Sequence, residues 1–428
     1  MSVINDVKVV LWGTPVGWLH RYDNGIIGFK YDDAFLSSGI ELSPVKMPLS
    51  GVVYTFPALS EASFHGLPGL VADSLPDKFG TAVINRYLES LGRSGEELSV
   101  LEKLCYTGKR GMGALEYEPA QIIPDMGMNK NADIDALAAL AEEILSHKQK
   151  QSLSADGSLI AALMESGSSV GGARAKALIA WNPKTNEVKS GQVETNRDFE
   201  YWLIKFGNIS NNRDKDTVPD MPEYTKVEYA YYLMAKAAGI QMSDCRIYKE
   251  NGTAHFMTKR FDRNGTEKLH MQSLGAISHM DFNSPRTNSY EEAFAVMRKM
   301  GLSHSEFAEL FRRMVFNEYA RNYDDHVKNI SFLMDKKGKW VLSPAYDVTF
   351  SYNPGSIWVS SHQMLINGKA EGIEKSDFMS VAASAGISKA EAKNCIEQVR
   401  EAVNGWRGFA EQAELSEEKT ARIEAVIG

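Results

Sequence analysis

Three oxygen-bearing side chains carry the first chemical signal in this chain: Asp324, Asn329 and Asp347. The first two belong to Asn322–Asn329, which reads Asn-Tyr-Asp-Asp-His-Val-Lys-Asn, and the third ends Pro344-Ala-Tyr-Asp347. A carboxylate can orient a hydroxyl and take its proton. An amide oxygen with a second carboxylate suits a hard divalent cation such as Mg²⁺. Phosphoryl transfer needs little more, because it relies on metal-bridged phosphates and a positioned acceptor rather than on covalent catalysis. Asp324 and Asn329 lie five positions apart (329 − 324). Ile330–Met334 reads as a strand, Asp335–Lys339 as a turn and Trp340–Leu342 as a returning strand, which would deliver Asp347 to the same place. An Asp/Asn-rich turn after a helix is the bland reading, so the weight falls on other stretches.

Ser166–Lys176 supplies Gly167, Gly171 and Gly172, with Lys176 just behind them. Such a stretch lets backbone amides approach phosphates, although by pattern alone a surface loop explains it as well. Lys205 ends an apolar strand, where a lysine usually snorkels. Glu228 lies near the start of the next helical segment and could orient that lysine, but an exposed helical Glu is otherwise unremarkable. Lys259-Arg260-Phe261 reads as a strand end. His326 is read as a structural histidine bonding within its loop, and Lys328 could balance charge nearby. His362, in Ser360-Ser-His-Gln363, suggests no chemistry.

Taken in order, these stretches resemble the HipA family of serine/threonine kinases, the toxin halves of bacterial type II toxin–antitoxin pairs. The resemblance rests on Ser168-Ser-Val-Gly-Gly-Ala-Arg-Ala-Lys176, Trp202-Leu-Ile-Lys205, Lys259-Arg-Phe-Asp-Arg263 and the Asp-Asp-His-Val-Lys-Asn loop. Leu67–Asp77 and Gly111–Tyr117 look like that family's N-terminal part, so nearly the whole chain is covered. The Asp-to-Asn spacing is that of a kinase catalytic loop.

The resemblance implies an α+β, protein-kinase-like bilobal fold. It also implies an N-terminal subdomain at 1–150, an ATP-binding part of the small lobe at 151–262 and a helical catalytic lobe at 263–428. It implies nucleotide contacts from Gly171, Gly172, Ala173, Arg174, Ala175 and Lys176, and from Lys205, supported by Glu228. Further nucleotide contacts would come from a hinge at Lys259, Arg260 and Phe261, using main-chain groups of Lys259 and Phe261, and from His326, Val327, Lys328, Asn329, Tyr346 and Asp347. Asp324 would act on the acceptor hydroxyl, and Asn329 and Asp347 would hold Mg²⁺. Ser169, or its neighbour Ser168, matches a serine that these kinases phosphorylate on themselves. A phosphate there adds about −1.5 to −2 charges to a loop meant to cradle another phosphate, and should expel it.

The departures are that His326 follows Asp324 instead of preceding it, that Asp347-Val-Thr replaces Asp-Phe-Gly, and that Arg174 stands where the family often has Gln. The implied activity is an ATP- and Mg²⁺-dependent protein kinase acting on a translation component such as an aminoacyl-tRNA synthetase. Its implied partner is a HipB-like DNA-binding antitoxin, with operator DNA reached only through that complex. Rival readings are a small-molecule phosphotransferase on the same fold, a metal-dependent nuclease or hydrolase built on Asp324, Asp325, His326 and Asp347, and an idle scaffold.

The elements that must position these residues are those of an ordinary globular protein. The chain has 428 residues, 43% hydrophobic and 24% charged, more than one core usually supports. A formal charge of −8 excludes a chain-wide nucleic-acid footprint. Cys105, Cys245 and Cys395 have no metal or redox spacing and read as buried residues of a reducing compartment. Met1–Leu11 reads as a strand rather than a signal peptide, and no membrane-length apolar run occurs, so the cytoplasm is expected. Helices are expected from Ser74, followed by Pro76 and Asp77 in the first turn, to about Leu91, then at Asp133–Ser146, Ser158–Met164, Glu223–Ala238, Lys268–His279, Tyr290–Met300, Ser303–Arg321, Lys375–Ala385 and Ser388–Gln412. Strands are expected at Val7–Leu11, Ile26–Phe29, Gly111–Tyr117, Ala175–Trp181, Phe199–Phe206, Cys245–Tyr248 and Ala254–Arg260.

Overall fold

Alternating apolar residues in Asp6–Leu11, with Val7, Val9 and Leu11 buried, start the first sheet of the computed structural model. The structure describes residues 4–93, 98–121, 133–146, 157–167, 174–192, 195–209 and 223–428. Five antiparallel strands lie in the order Val53–Thr55, Ile27–Tyr31, Thr14–Arg21, Asp6–Leu11, Leu115–Glu118. The Asp23-Asn-Gly25 turn joins Thr14–Arg21 to Ile27–Tyr31, and Gly25 takes φ +83°, a conformation open to glycine at no steric cost.

A second antiparallel sheet runs Val188–Ser190, Lys176–Trp181, Glu200–Lys205, Thr253–Lys259, Cys245–Glu250. Lys176–Trp181 is buried at every position, between two neighbouring strands and beneath the helix Gly157–Gly167. Its core takes in Phe79, Val83, Ile134, Leu137, Leu163, Ile179, Trp202 and Met257. The helix Lys78–Ser90 therefore packs against this sheet rather than the first one. It starts on Asp77, whose carboxylate accepts from the Gly80 N–H at 2.6 Å, so Asp77 and not Ser74 is the cap.

The core of the first sheet runs on into the C-terminal helices, joining Val7, Phe29 and Leu70 to Leu274, Phe311, Met314 and Phe332. The helices are Tyr224–Ala237, Tyr290–Lys299, His304–Tyr319, Lys375–Ala385, Lys389–Asn404, Trp406–Gln412 and Glu417–Glu424. Two sequence expectations fail here. Lys268–His279 is not one helix: His270–Ser273 is a strand paired with Ser331–Met334, and only Leu274–Ser278 is helical. Strand pairing buries His270 and Gln272, and Ser273 then caps the short helix through the Ala276 N–H at 3.1 Å. Ser388–Gln412 breaks at Gly405, which ends one helix and starts the next. The Ser331–Met334 and Trp340–Leu342 hairpin forms as expected. Among the described residues, no helix is long and apolar enough to cross a membrane.

Candidate active site

Antiparallel pairing sets Lys176 directly opposite Lys205 on adjacent strands, so both ammonium groups leave the same face of the sheet. Two buried cations side by side need carboxylates, and three elements supply them. Lys205 Nζ lies 2.6 Å from Glu228 Oε1, on the helix Tyr224–Ala237, and 2.5 Å from Asp347 Oδ1. Lys176 Nζ lies 3.7 Å from Asp77 Oδ2, so the residue that caps Lys78–Ser90 also faces this lysine. Burial alone would depress the Lys205 ammonium, but Asp347 and Glu228 more than offset it and hold it charged. For Lys176 burial prevails over Asp77, and its pKa is lowered. Burial raises the pKa of Glu228 even with Lys205 beside it. Burial pulls the Asp347 carboxyl the same way, yet Lys205 and Lys176 keep it well below the usual carboxylate range.

Asp347 has φ +55°, a sparsely populated conformation for a non-glycine residue. The turn is pinned on the N-terminal side. The Ala345 N–H donates to the Gln241 carbonyl at 2.8 Å, and the Tyr346 hydroxyl donates to the Lys328 carbonyl at 2.5 Å. The side chain keeps 38% of its surface open, enough for a ligand to reach it.

The loop after His304–Tyr319 carries the remaining groups. Asn329 Nδ2 donates to the Asp324 carbonyl at 2.7 Å, which ties the two ends of the motif together. The Asn329 N–H bonds the His326 carbonyl at 2.8 Å and the Lys328 N–H bonds His326 Nδ1 at 3.3 Å, so His326 holds the loop. Its Nε2 lies 3.8 Å from Asp324 Oδ1. Val327 is buried and accepts from the Gly275 N–H. The Lys328 ammonium sits 4.2 Å from the centre of the Phe282 ring.

Asp325 has both oxygens engaged by the protein. It accepts from the Tyr290 hydroxyl at 2.8 Å and the Gln363 N–H at 2.8 Å, and pairs with His362 Nδ1 at 2.7 Å. The other nitrogen of His362 lies 2.9 Å from Glu318. Burial works against charge on this ring, but Asp325 and Glu318 push its pKa up to about 9. Neither Glu318 nor this role of His362 was visible in the sequence, since 37 positions separate His362 from Asp325 (362 − 325).

At the hinge, the Lys259 N–H donates to Asp244 and the Arg260 N–H to Tyr201, at 2.8 and 2.9 Å. The Lys259 ammonium pairs with Glu200 at 2.6 Å, and the Arg260 guanidinium is buried against Asp262. Neither side chain is offered to a nucleotide, so a hinge contact would use main-chain groups. The Phe261 ring lies 5.5 Å from that of Tyr346. Arg174 stacks over Tyr224 at 5.3 Å, and Ala175 is buried and accepts from the Phe206 N–H. Ser168, Ser169, Gly171, Gly172 and Ala173 lie outside the described residues.

Among the described residues no three His, Cys, Asp or Glu side chains group closely enough to hold a metal. Asn329 and Asp347 line one small cavity and are oxygen donors. Two protein oxygens with the rest from phosphates and water is how Mg²⁺ is commonly held beside a nucleotide, so the donor set fits that cation.

Residues 168–406 match the HipA-like C-terminal domain and residues 7–118 the HipA N-terminal domain. The chain belongs to the HipA family. Two curated relatives named as candidate kinases, Y4dM and Y4mE of Sinorhizobium fredii, are 27% identical over 175 residues and 24% identical over 161. These matches span 40% and 35% of this HipA-family chain, and only 41% and 38% of the relatives' lengths. A chain in the Shewanella oneidensis MR-1 complex of HipA, HipB and operator DNA superposes with a TM-score of 0.63 at 15% identity. That superposition covers 98% of this chain and 94% of that one. The shared fold is α+β and kinase-like, a β-rich small lobe on a helical large lobe.

Proposed function

We propose that this HipA-family chain is an ATP- and Mg²⁺-dependent kinase that phosphorylates a serine or threonine of a protein. The observation that carries the reading is the meeting of Lys205, Glu228 and Asp347 at the catalytic-loop end of the sheet. A strand lysine oriented by a helical glutamate is how a kinase small lobe grips nucleotide phosphates. Bound ATP with Mg²⁺ would supply the phosphoryl group and neutralise the charge developing on it. The chain's own residues do the rest. Lys205 and Lys176 offer positive charge to phosphate oxygens. Asp347 and Asn329 would hold the cation through their side-chain oxygens. Asp324 accepts the proton of the acceptor hydroxyl.

Both oxygens of Asp325 are taken by His362, Tyr290 and Gln363, which weighs against a nuclease centre that would use it. Ser169 is the proposed autophosphorylation site, with Ser168 the alternative. The proposed setting is the cytoplasm, with a HipB-like DNA-binding antitoxin as partner and a translation component, such as an aminoacyl-tRNA synthetase, as substrate.

The test is incubation with γ-labelled ATP and Mg²⁺, followed by mapping of the modified residue. Label on Ser169 or Ser168, lost in Asp324→Ala, is expected. Release of inorganic phosphate or nucleotide cleavage without protein labelling would overturn the reading.

A further inference from the structure

The amide of Gln363 donates to Asp324 Oδ1. The orientation is forced, since the flipped amide would set its oxygen against a carboxylate oxygen. Gln363 is buried, and its Oε1 has no partner among the described residues. A buried acceptor left without a donor is unfavourable, so an apolar side chain of this size would suit the fold better. What the glutamine gains in return is the contact with Asp324.

The surrounding structure holds Gln363 from every side of its backbone. Its N–H donates to Asp325 at 2.8 Å and its carbonyl accepts from the Arg286 N–H at 2.7 Å. The next residues, Met364 and Leu365, pair in parallel with Asn288 and Ser289. The guanidinium of Arg286 reaches Ser361 Oγ at 2.9 Å and the Ile357 carbonyl at 3.0 Å, fixing the preceding turn. On the other side, His362 bridges Asp325 and Glu318. A free carboxylate rotates about its terminal torsion at little cost. A donor whose own backbone is held in place restricts that rotation and fixes how the carboxylate faces.

We propose that Gln363 is a positioning residue for phosphoryl transfer, aiming the Asp324 carboxylate at the acceptor from a rigid mount built by His362, Asp325 and Arg286. This rests on the kinase reading above. Gln363 touches neither substrate nor nucleotide, so its removal acts on turnover and not on ATP binding.

The experiment compares wild type, Gln363→Leu and Gln363→Met in protein-labelling kinetics with Mg·ATP, alongside thermal melting. Turnover should fall by about ten- to a hundredfold, the scale of a reacting group slightly misplaced. The KM for ATP should stay within about twofold, as follows when an interaction made only in the transition state is lost. The melting temperature should hold or rise, because an unpartnered buried oxygen has gone. Unchanged turnover in both variants overturns the inference, and so does a joint fall of turnover, ATP affinity and melting temperature, which marks plain damage. If wild type itself labels no protein, the kinase reading fails and this inference with it. If wild type labels and the variants match it, only the inference fails.

Discussion

Lys205 and Lys176 show how much one register determines. Paired directly across two strands, they require counter-charges that come from a helix, a helix cap and a turn distant in sequence. Lys205→Met removes the group that organises this set. Phosphoryl transfer should drop by about 10²–10³-fold, the cost of losing one charge-stabilising donor, with the melting temperature recording whether the fold survives. Asp324→Ala should lower turnover by about 10²–10⁴-fold, the usual contribution of a positioned base, while Mg·ATP still binds by titration. Glu228 was legible because it lies near the start of the helix that follows the strand of Lys205. Asp77 was legible only as part of a helix start placed at Ser74. Nothing in the sequence links it to Lys176, 99 positions on (176 − 77), and only the packing of Lys78–Ser90 against the second sheet does so.

At the level of elements, the loop 322–329 is held by segment 360–363, through a charged histidine between two carboxylates. The ring faces Asp325, Glu318 and the Tyr323 ring, with Arg321 on the far side of Glu318. A histidine whose folded pKa is raised to about 9 stabilises the fold fully below its unfolded value of about 6.5. That contribution is lost as pH rises through the folded value. The stability gap between wild type and His362→Gln should therefore be widest near pH 6, on the order of 3 kcal/mol. Chemical denaturation should show it shrinking by pH 9.5; a gap constant with pH would mean that the ring is neutral. Periodicity predicted most helices because they bury one face against a core. It failed at Lys268–His279, where the strand pairing of His270–Ser273 overrides local helical preference. It also ran through Gly405, where one helix hands over to another. The three-residue strand Val188–Ser190 is too short to leave a pattern.

For the whole molecule, the first sheet is not an appendage. Its core is continuous with the helical lobe, and Gly113, just before the strand Leu115–Glu118, donates to Asp262 at 2.8 Å. Asp262 is fully buried and gathers Arg260 and Arg263 as well, tying the hinge to the N-terminal part. Asp262→Ala strands two guanidinium groups and should cost about 3–5 kcal/mol, read by denaturant titration. The central claim is that the hinge, sheet and catalytic loop converge on one Mg·nucleotide site. Calorimetric titration of ATP into the full chain, with and without Mg²⁺, for wild type and Asp347→Ala tests it most directly. Wild type should bind ATP more tightly when Mg²⁺ is present, and Asp347→Ala should lose that difference while keeping its melting temperature. A wild-type chain that binds no ATP, or an Asp347→Ala chain with the Mg²⁺ effect intact, would contradict the account.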